Sequence, residues 1–324
     1  MAARLNPANP LPELVDLRRL SARDLDPLLE EETAEWLREM DWDFGKSASL
    51  VRRFVDLNSL AGSALVDGGE TVAYLYYVFE DNKGLVGDLY VRQGHRGRGH
   101  EERLLESAIG AIREHPQINR VESQLLLLDY EAGRALPFAS DASQYERSFM
   151  RAELAAADLR EASVRAPIFI ERWSDHYHEG AAQAIAEAYS GHVDSRVNDQ
   201  YRSVAGARRF LFNIVQFPGC GTFFPPASYA AFDAVSGRLC GISLTSMVAP
   251  GCGHVTQICV CAAVRGKGVG HELLRRSLAS LKEARCHAVS LTVTSVNVDA
   301  VALYEKVGFR TIRRFSAYAW EWPT

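Results

Sequence analysis

The sequence predicts an α/β protein of two domains, residues 1–162 and 163–324, each a mixed, mostly antiparallel sheet flanked by helices. Three observations carry that expectation. At 324 residues the chain is long for a single hydrophobic core. The stretches "GDLYVRQGHRGRGHEERLLESAIGAI" (Gly87–Ile112) and "TQICVCAAVRGKGVGHELLRRSLASL" (Thr256–Leu281) align without a gap, placing Val91 on Val260, Arg96 on Arg265 and Gly99 on Gly268. Both stretches also follow paired apolar runs broken by glycine, the pattern of antiparallel hairpins.

In the first half, "TVAYLYYVF" and "GLVGDLYV", separated by "DNKG", read as a hairpin. After the glycines, Leu104, Leu105, Ala108 and Ile112 fall on one helical face. A further strand, "RVESQLLLL" (Arg120–Leu128), completes a βαβ-like crossover. The segment 143–171 contains the join: "YERSFMRAELAAADLREAS" finishes the first domain and "APIFIERW" opens the second, which puts the boundary near residue 163. The second half repeats the plan with "ASYAAFDAV", "LCGISLTSMV" and "HVTQICV" as strands, a helix beginning near His271 with Leu273, Leu274, Leu278 and Leu281 on one face, and the strand "AVSLTVTSV" (Ala288–Val296).

Hydrophobic residues make up 47% of the chain and charged residues 24%, a globular balance. The formal charge is −5, from 36 basic and 41 acidic side chains, and no long Lys/Arg block occurs, so a nucleic-acid partner is not expected. All six cysteines lie in the second half, without the spaced partners of a zinc knuckle. Reduced cysteines, no metal and a cytoplasmic location are therefore expected. The amino terminus lacks a charged segment followed by an apolar core of about 7 to 15 residues, and no apolar run reaches the ~20 residues of a membrane span.

The segment "CAAVRGKGVGHELLRRSL" sets Gly266, Gly268 and Gly270 between a strand ending at Val260 and a helix. Bare backbone N–H groups at a helix start suit a phosphate or pyrophosphate, with Arg265 and Lys267 adding positive charge. A Walker loop needs Ser or Thr after its lysine, whereas Gly268 follows Lys267, and the glycine spacing differs from a dinucleotide fingerprint. A tight turn for close helix–strand packing accounts for the same glycines. "TSVNVDAVALYEKVGF" (Thr294–Phe309) adds a second signal: Asn297 as helix N-cap, Ala300, Leu303, Tyr304 and Val307 on one face, and Gly308 as C-cap. Asn297 and Tyr304 stand about two turns apart and can face one cleft. A tyrosine directed there can protonate a leaving group.

Together R-x-x-G-x-G (Arg265, Gly268, Gly270) and N-x-x-A-x-x-L-Y-E-x-x-G-F (Asn297, Ala300, Leu303, Tyr304, Glu305, Gly308, Phe309) resemble the GCN5-related N-acetyltransferase (GNAT) superfamily. The resemblance is strong over roughly residues 227–322 and weaker across 167–226, and the whole chain looks like a tandem of two such acyl-CoA N-acyltransferase domains. It implies an enzyme that uses acetyl-CoA as acyl donor. The pyrophosphate would lie on Arg265, Gly266, Lys267, Gly268, Val269, Gly270 and His271, and the pantetheine amides on the strand edge Ile258, Cys259 and Val260 through a splay between neighbouring strands. Asn297 would face the donor's arm, and Tyr304 would protonate the leaving thiolate.

The first copy is incomplete. Glu101 stands where the second copy has Gly270, and "DYEAGRALPFASDAS" replaces the helix that carries Asn297 and Tyr304. A carboxylate beside a pyrophosphate is an unfavourable like-charge placement. Residues 13–160 are therefore expected to form a supporting domain with no donor site of their own.

The acceptor is expected to be a primary amine of a small molecule or peptide that attacks the thioester directly. In "YSGHVDSRVNDQYRS" (Tyr189–Ser203), His192 and Asp194 are a candidate base or amine-binding pair, or a capped solvated loop. His254 is a second candidate base or an ordinary loop histidine, and Gln257 orients substrate or pairs at the sheet surface. Cys259 and Cys261 share a strand face, as small buried hydrophobes or as groups near the acyl carbon. The competing function is a catalytically inactive coenzyme-A-binding regulatory or interaction module, against which Asn297 and Tyr304 argue. Both a monomer and a homodimer fit the sequence.

Overall fold

The computed structural model describes residues 11–217 and 219–323. The first ten residues, part of the proposed first domain and of the segment expected to lack a leader, lie outside the described residues. The first half contributes strands β1 (Glu13–Asp16), β2 (Ala61–Asp67), β3 (Glu70–Glu80), β4 (Lys83–Val91), β5 (Arg120–Asp129) and β6 (Ala142–Glu153). Its helices are α1 (Ala22–Met40), α2 (Gly45–Asp56) and α3 (His100–Arg113). The second half contributes β7 (Ile168–Arg172), β8 (Thr222–Phe223), β9 (Tyr229–Asp233), β10 (Leu239–Ala249), β11 (Cys252–Val260), β12 (Ala288–Thr294) and β13 (Arg310–Glu321). Its helices are α4 (His178–Ala188), α5 (Asp194–Val197), α6 (Val204–Gln216), α7 (Val269–Glu283) and α8 (Val298–Val307). The two expected crossovers are present, and the helix placed near His271 starts two residues earlier.

Each sheet is mixed in the expected way. Among the named strands of the described residues, β4 with β5 and β11 with β12 run parallel, each pair joined through a helix, and the remaining pairs are antiparallel. The periodic leucines do what their spacing implies. Leu104, Leu105, Ala108 and Ile112 of α3 are buried, as are Leu273, Leu274, Leu278 and Leu281 of α7. Burying each of those leucines contributes roughly 1.5 to 3 kcal/mol, which fixes the helix over the sheet.

What the sequence does not reveal is that the two sheets are one. The order is β1-β2-β3-β4-β5-β13-β6-β12-β11-β10-β9-β7, with β8 beside β10. The last strand of each half lies among strands of the other: β13 is flanked by β5 and β6, and β6 by β13 and β12. The β6–β13 ladder runs from Arg310 opposite Arg151 to Trp320 opposite Ala142. Phe315, Tyr318 and Trp320 of β13 are fully buried along it.

A buried ion cluster seals the same junction. Lys83 on β4 reaches Glu122 on β5 at 3.0 Å and pairs with Asp199 of the second half, the Lys83 side chain being 4% exposed and that of Asp199 23%. Arg120 bonds Glu122 at 2.6 Å and donates to the Arg196 carbonyl at 2.5 Å. The Asp199 N–H donates to Glu122 at 2.7 Å.

Inside the first half, the buried face of α1 carries Glu32 against Asp88 of β4. Tyr74 donates to Glu32 at 2.8 Å and the Leu89 N–H to Asp88 at 2.8 Å. Burial, then the neighbouring Asp88, pushes the Glu32 carboxyl well above its ordinary value of 4.5, and burial raises Asp88 as well. Glu32 therefore stays protonated and donates to Asp88.

Two outcomes follow. Lys83→Ala leaves Asp199 without its cation and Glu122 with Arg120 alone and should cost about 3 to 5 kcal/mol in denaturant unfolding. Arg209→Ala, which removes only the exposed pair with Asp81, should cost less than about 1 kcal/mol. The Glu32–Asp88 pair has raised folded values, so its stabilisation is complete below the ordinary carboxylate value and is lost as pH climbs through the raised one. Stability should thus fall as pH rises above that ordinary range, and Glu32→Gln, which keeps both hydrogen bonds without the proton, should flatten the dependence in denaturant titrations at stepped pH.

Candidate active site

The parallel pair β11–β12 holds register only from Cys252 opposite Ala288 to Val255 opposite Leu291. Beyond that point β11 continues to Val260 along β10 and β12 to Thr294 along β6, no longer paired with each other. A register shift between Leu244 and Thr245 in the β10–β11 ladder bends β11 at the same place. The Cys261 N–H donates to the Cys240 carbonyl, so strand alternation turns the backbone of Ile258 and Val260 away from β10 and into the splay. Tyr189 donates to the Ile258 carbonyl from that side at 3.4 Å.

At the end of β11 the chain enters the glycine loop. Gly266 and Gly268 take positive φ, +71° and +87°, and Gly268 caps the start of α7. The first intrahelical bond recorded after the cap is from the Glu272 N–H to the Gly268 carbonyl. The N–H groups of Gly268, Val269, Gly270 and His271 thus converge at the helix start with no acceptor among the described residues. Both readings of the glycines hold, at different positions. A Cβ at Gly268 would stand 2.3 Å from the Ser163 carbonyl oxygen, whereas one at Gly266 would meet nothing and one at Gly270 only the Val260 side chain at 3.8 Å. Gly268 serves close packing of the inter-half connection, and Gly266 and Gly270 leave the amides open to a ligand. The connection is tied there further: the Arg165 N–H donates to the Lys267 carbonyl at 2.8 Å.

Splay and loop open into one cavity of about 750 Å³. Ile258, Cys259, Val260, Arg265, Gly266, Gly268, Gly270, His271, Asn297 and Tyr304 line it, together with His192, Asp194 and His254. Lys267 is exposed on the loop outside the lining, and the Val269 side chain is buried beneath α7, so Val269 offers the cavity only its N–H. Asn297 caps α8 by accepting from the Ala300 N–H at 3.4 Å, and Gly308 ends that helix at φ 115°.

The chemistry of the lining follows from burial. The Tyr304 phenol is raised by burial first and the Asp194 carboxylate second, so its hydroxyl stays protonated as a donor. Asp194 accepts from Thr294, lies 3.5 Å from Nδ1 of His192 and 3.7 Å from Arg147. His192 and Asp194 therefore touch, the Asp194 N–H donating to Nδ1 of His192 at 3.2 Å, with His192 partly open to the cavity. His254 is lowered to about 3, by burial first and Arg147 second, and bonds Ser290 at 2.9 Å. It is thus neutral, a poor proton acceptor at ordinary pH. Burial pushes the Cys259 and Cys261 thiols up to about 12, which leaves no thiolate near the splay at neutral pH. Gln257 is buried between two tyrosines, donating to Tyr189 at 3.1 Å and accepting from Tyr201 at 3.4 Å.

Other lining residues had no place in the sequence expectation. Tyr189 and Tyr201 stack at 4.4 Å and stand at the ends of the polar segment already singled out, so their signal was present. Arg147 and Gln124 come from β6 and β5 of the first half. Only the strand exchange brings them to this cavity, and no local pattern marks them.

The corresponding place in the first half is closed. Its β4–β5 pair also parts, after Val86 opposite Ser123, yet the cavity there is about 150 Å³. Glu31 of α1 accepts the Gln93 N–H at 2.8 Å, and Glu35 binds Arg96 at 2.6 Å and Tyr90 at 2.9 Å. Glu101 lines what remains, and residues 130–141 form turns where the second half has α8. Carboxylates of this chain occupy the place of an anion. In the second half the equivalent arginine, Arg265, instead donates to a backbone carbonyl, that of Ala188, at 2.9 Å.

Comparisons with known proteins agree with this geometry. A family model described as the acetyltransferase (GNAT) family matches residues 17–128 and 197–309, more than half of the chain. Mycothiol acetyltransferase from Tsukamurella paurometabola is 32% identical over 105 residues, 32% of this chain and 36% of that protein, so the match spans about a third of that relative's length. A solved GCN5-related N-acetyltransferase from Sphaerobacter thermophilus superposes with a TM-score of 0.65 at 18% identity, covering 95% of each chain. A tandem GNAT protein from the clavulanic acid biosynthesis pathway gives 0.56 at 18% identity, covering 96% of this chain and 99% of that one. At these identities the two structures show a shared fold.

Gly270→Glu, which reproduces Glu101 in the second half, should lower the affinity for coenzyme A by about tenfold or more in calorimetric titration, with thermal unfolding little changed because the position is roomy. Gly268→Ala should lower the unfolding temperature as well, through its φ and the Ser163 contact. Undiminished coenzyme A affinity in Gly270→Glu would remove the loop from the site.

Proposed function

Because the chain belongs to the acetyltransferase (GNAT) family, we propose that it is an N-acetyltransferase that moves an acetyl group from acetyl-CoA to a primary amine, with a single donor site on the second half. The observation that carries this reading is the meeting, in one cavity, of unpaired loop amides, an unpaired strand edge and a protonated tyrosine, which the first half lacks. Acetyl-CoA, when bound, supplies an acyl group on a thioester that an amine attacks directly. The N–H groups of Gly268 through His271 would hold its pyrophosphate at the positive end of α7. Ile258 and Val260 would pair with its pantetheine arm, which takes the Ile258 carbonyl from Tyr189. Asn297 would face that arm.

The residues of the chain then divide the proton work. His192, oriented by Asp194, accepts the proton that the amine loses as its nitrogen bonds to the acyl carbon. Tyr304 donates its hydroxyl proton to the sulfur as the carbon–sulfur bond breaks. His254, held neutral, shapes the wall. Tyr189, Tyr201 and Phe210 line the same cavity and suit a small-molecule or peptide amine, which gives up its first proton to solvent before it attacks as the neutral base. No described helix is long and apolar enough to cross a membrane, and all six cysteines are free, in keeping with work in the cytoplasm.

In acetyl transfer to a panel of amines, Tyr304→Phe should lower turnover on the order of 100-fold with donor affinity retained. His192→Ala should lower turnover with donor affinity retained. Unchanged turnover in Tyr304→Phe would remove its role as acid, and coenzyme A binding without transfer to any amine would favour a binding module instead.

A further inference from the structure

Away from the cavity, three side chains far apart in sequence converge on one point. Asp41 caps the carboxyl end of α1 at φ 56°, Cys252 opens β11, and His287 immediately precedes β12. Nε2 of His287 lies 3.3 Å from Oδ2 of Asp41 and 3.5 Å from Sγ of Cys252. The three atoms all fall within 4.8 Å of one another. A proton relay from thiol through imidazole to carboxylate would use the two ring nitrogens on opposite sides; here the same Nε2 faces both groups. Convergence of one sulfur, one nitrogen and one oxygen is what a cation requires.

Both separations from Nε2 fit a tetrahedral zinc ion. Bond lengths of about 2.3 Å to sulfur, about 2.0 Å to nitrogen and about 2.0 Å to oxygen place sulfur about 3.5 Å and oxygen about 3.3 Å from the nitrogen. We propose that Asp41, Cys252 and His287 form a zinc(II) site with its fourth position open to water, clamping the end of α1 to the second half of the chain.

The surroundings are built to hold those donors. The His287 N–H donates to the Gly251 carbonyl at 2.9 Å and its carbonyl accepts from Leu154. Its Nδ1 passes Gly251, where a Cβ would stand only 2.8 Å away, so the glycine leaves room for the ring orientation. Arg151 donates to Asp41 at 2.8 Å, on the same Oδ2, and also pairs with Glu153; it holds the carboxylate from outside. Cys252 is buried, while Asp41 is partly open and His287 exposed, giving a metal ion a path from solvent. Thiolate and carboxylate together balance the charge of the dication, and coordination releases the Cys252 thiol proton to water with no change of oxidation state. The cysteine spacing gave no hint because two of the three donors are not cysteines and Asp41 belongs to the other half.

The test uses the full chain freed of metal with a chelator and titrated with cobalt(II), then zinc(II). One equivalent of cobalt should give tetrahedral visible bands and a thiolate-to-cobalt charge-transfer band, displaced by zinc, and zinc should raise the unfolding temperature. Cys252→Ser should lose the charge-transfer band, and both Cys252→Ser and Asp41→Asn should lose the thermal shift while circular dichroism stays native. Absence of the band in the parent chain, or its persistence in Cys252→Ser, would overturn the site.

Discussion

The ladder between β6 and β13 is the constraint on which the rest of the molecule depends. Each of these strands is surrounded by strands of the opposite half, so the halves share backbone hydrogen bonds rather than a side-chain interface. Their relative position is set by register, and register fixes which face each residue presents. Arg147 reaches Asp194 and the Thr292 and Thr294 hydroxyls because β6 pairs residue for residue with β12. The acidic group of the cavity is thus balanced by a cation from the other half.

The two glycine loops show how one backbone plan is turned toward or away from an anion. Both copies have an arginine, a positive-φ glycine before the helix and a parting parallel pair. What differs is charge. In the first copy, glutamates of α1 take up the arginine and a loop amide, and Glu101 occupies the mouth. In the second, α4 presents a carbonyl to Arg265 and the amides remain unpaired. Desolvating a bound pyrophosphate against those carboxylates is unfavourable, whereas the second loop offers donors without competitors.

Most of the architecture was legible locally, because leucines at helical spacing and glycine-broken apolar runs report on their own element. Asn297, Tyr304 and Gly308 announced α8 and its caps, and Arg265, Gly266, Gly268, Gly270 and His271 line the cavity whereas Lys267 and the Val269 side chain do not. His192 and Asp194 could be named but not joined, since spacing in a short irregular segment does not decide contact. His254 read as a loop residue and a candidate base because its burial against Trp42 and Phe149 depends on the other half. Arg147 and the single continuous sheet were invisible for a related reason: strand exchange is a choice between partners of equal local quality. The division at residue 162 remains a proposal, since β6 lies before it and belongs spatially beyond it.

The contact between Gly268 and Ser163 bears on how such a molecule tolerates change. The tether joining the repeats rests on the very turn proposed to grip the donor, so insertions there would be felt at the ligand although the tether lies outside the cavity. By contrast, erosion of the first repeat's own loop leaves β6 in place. A duplicated unit can therefore abandon its chemistry and still be retained, as scaffold for its sibling.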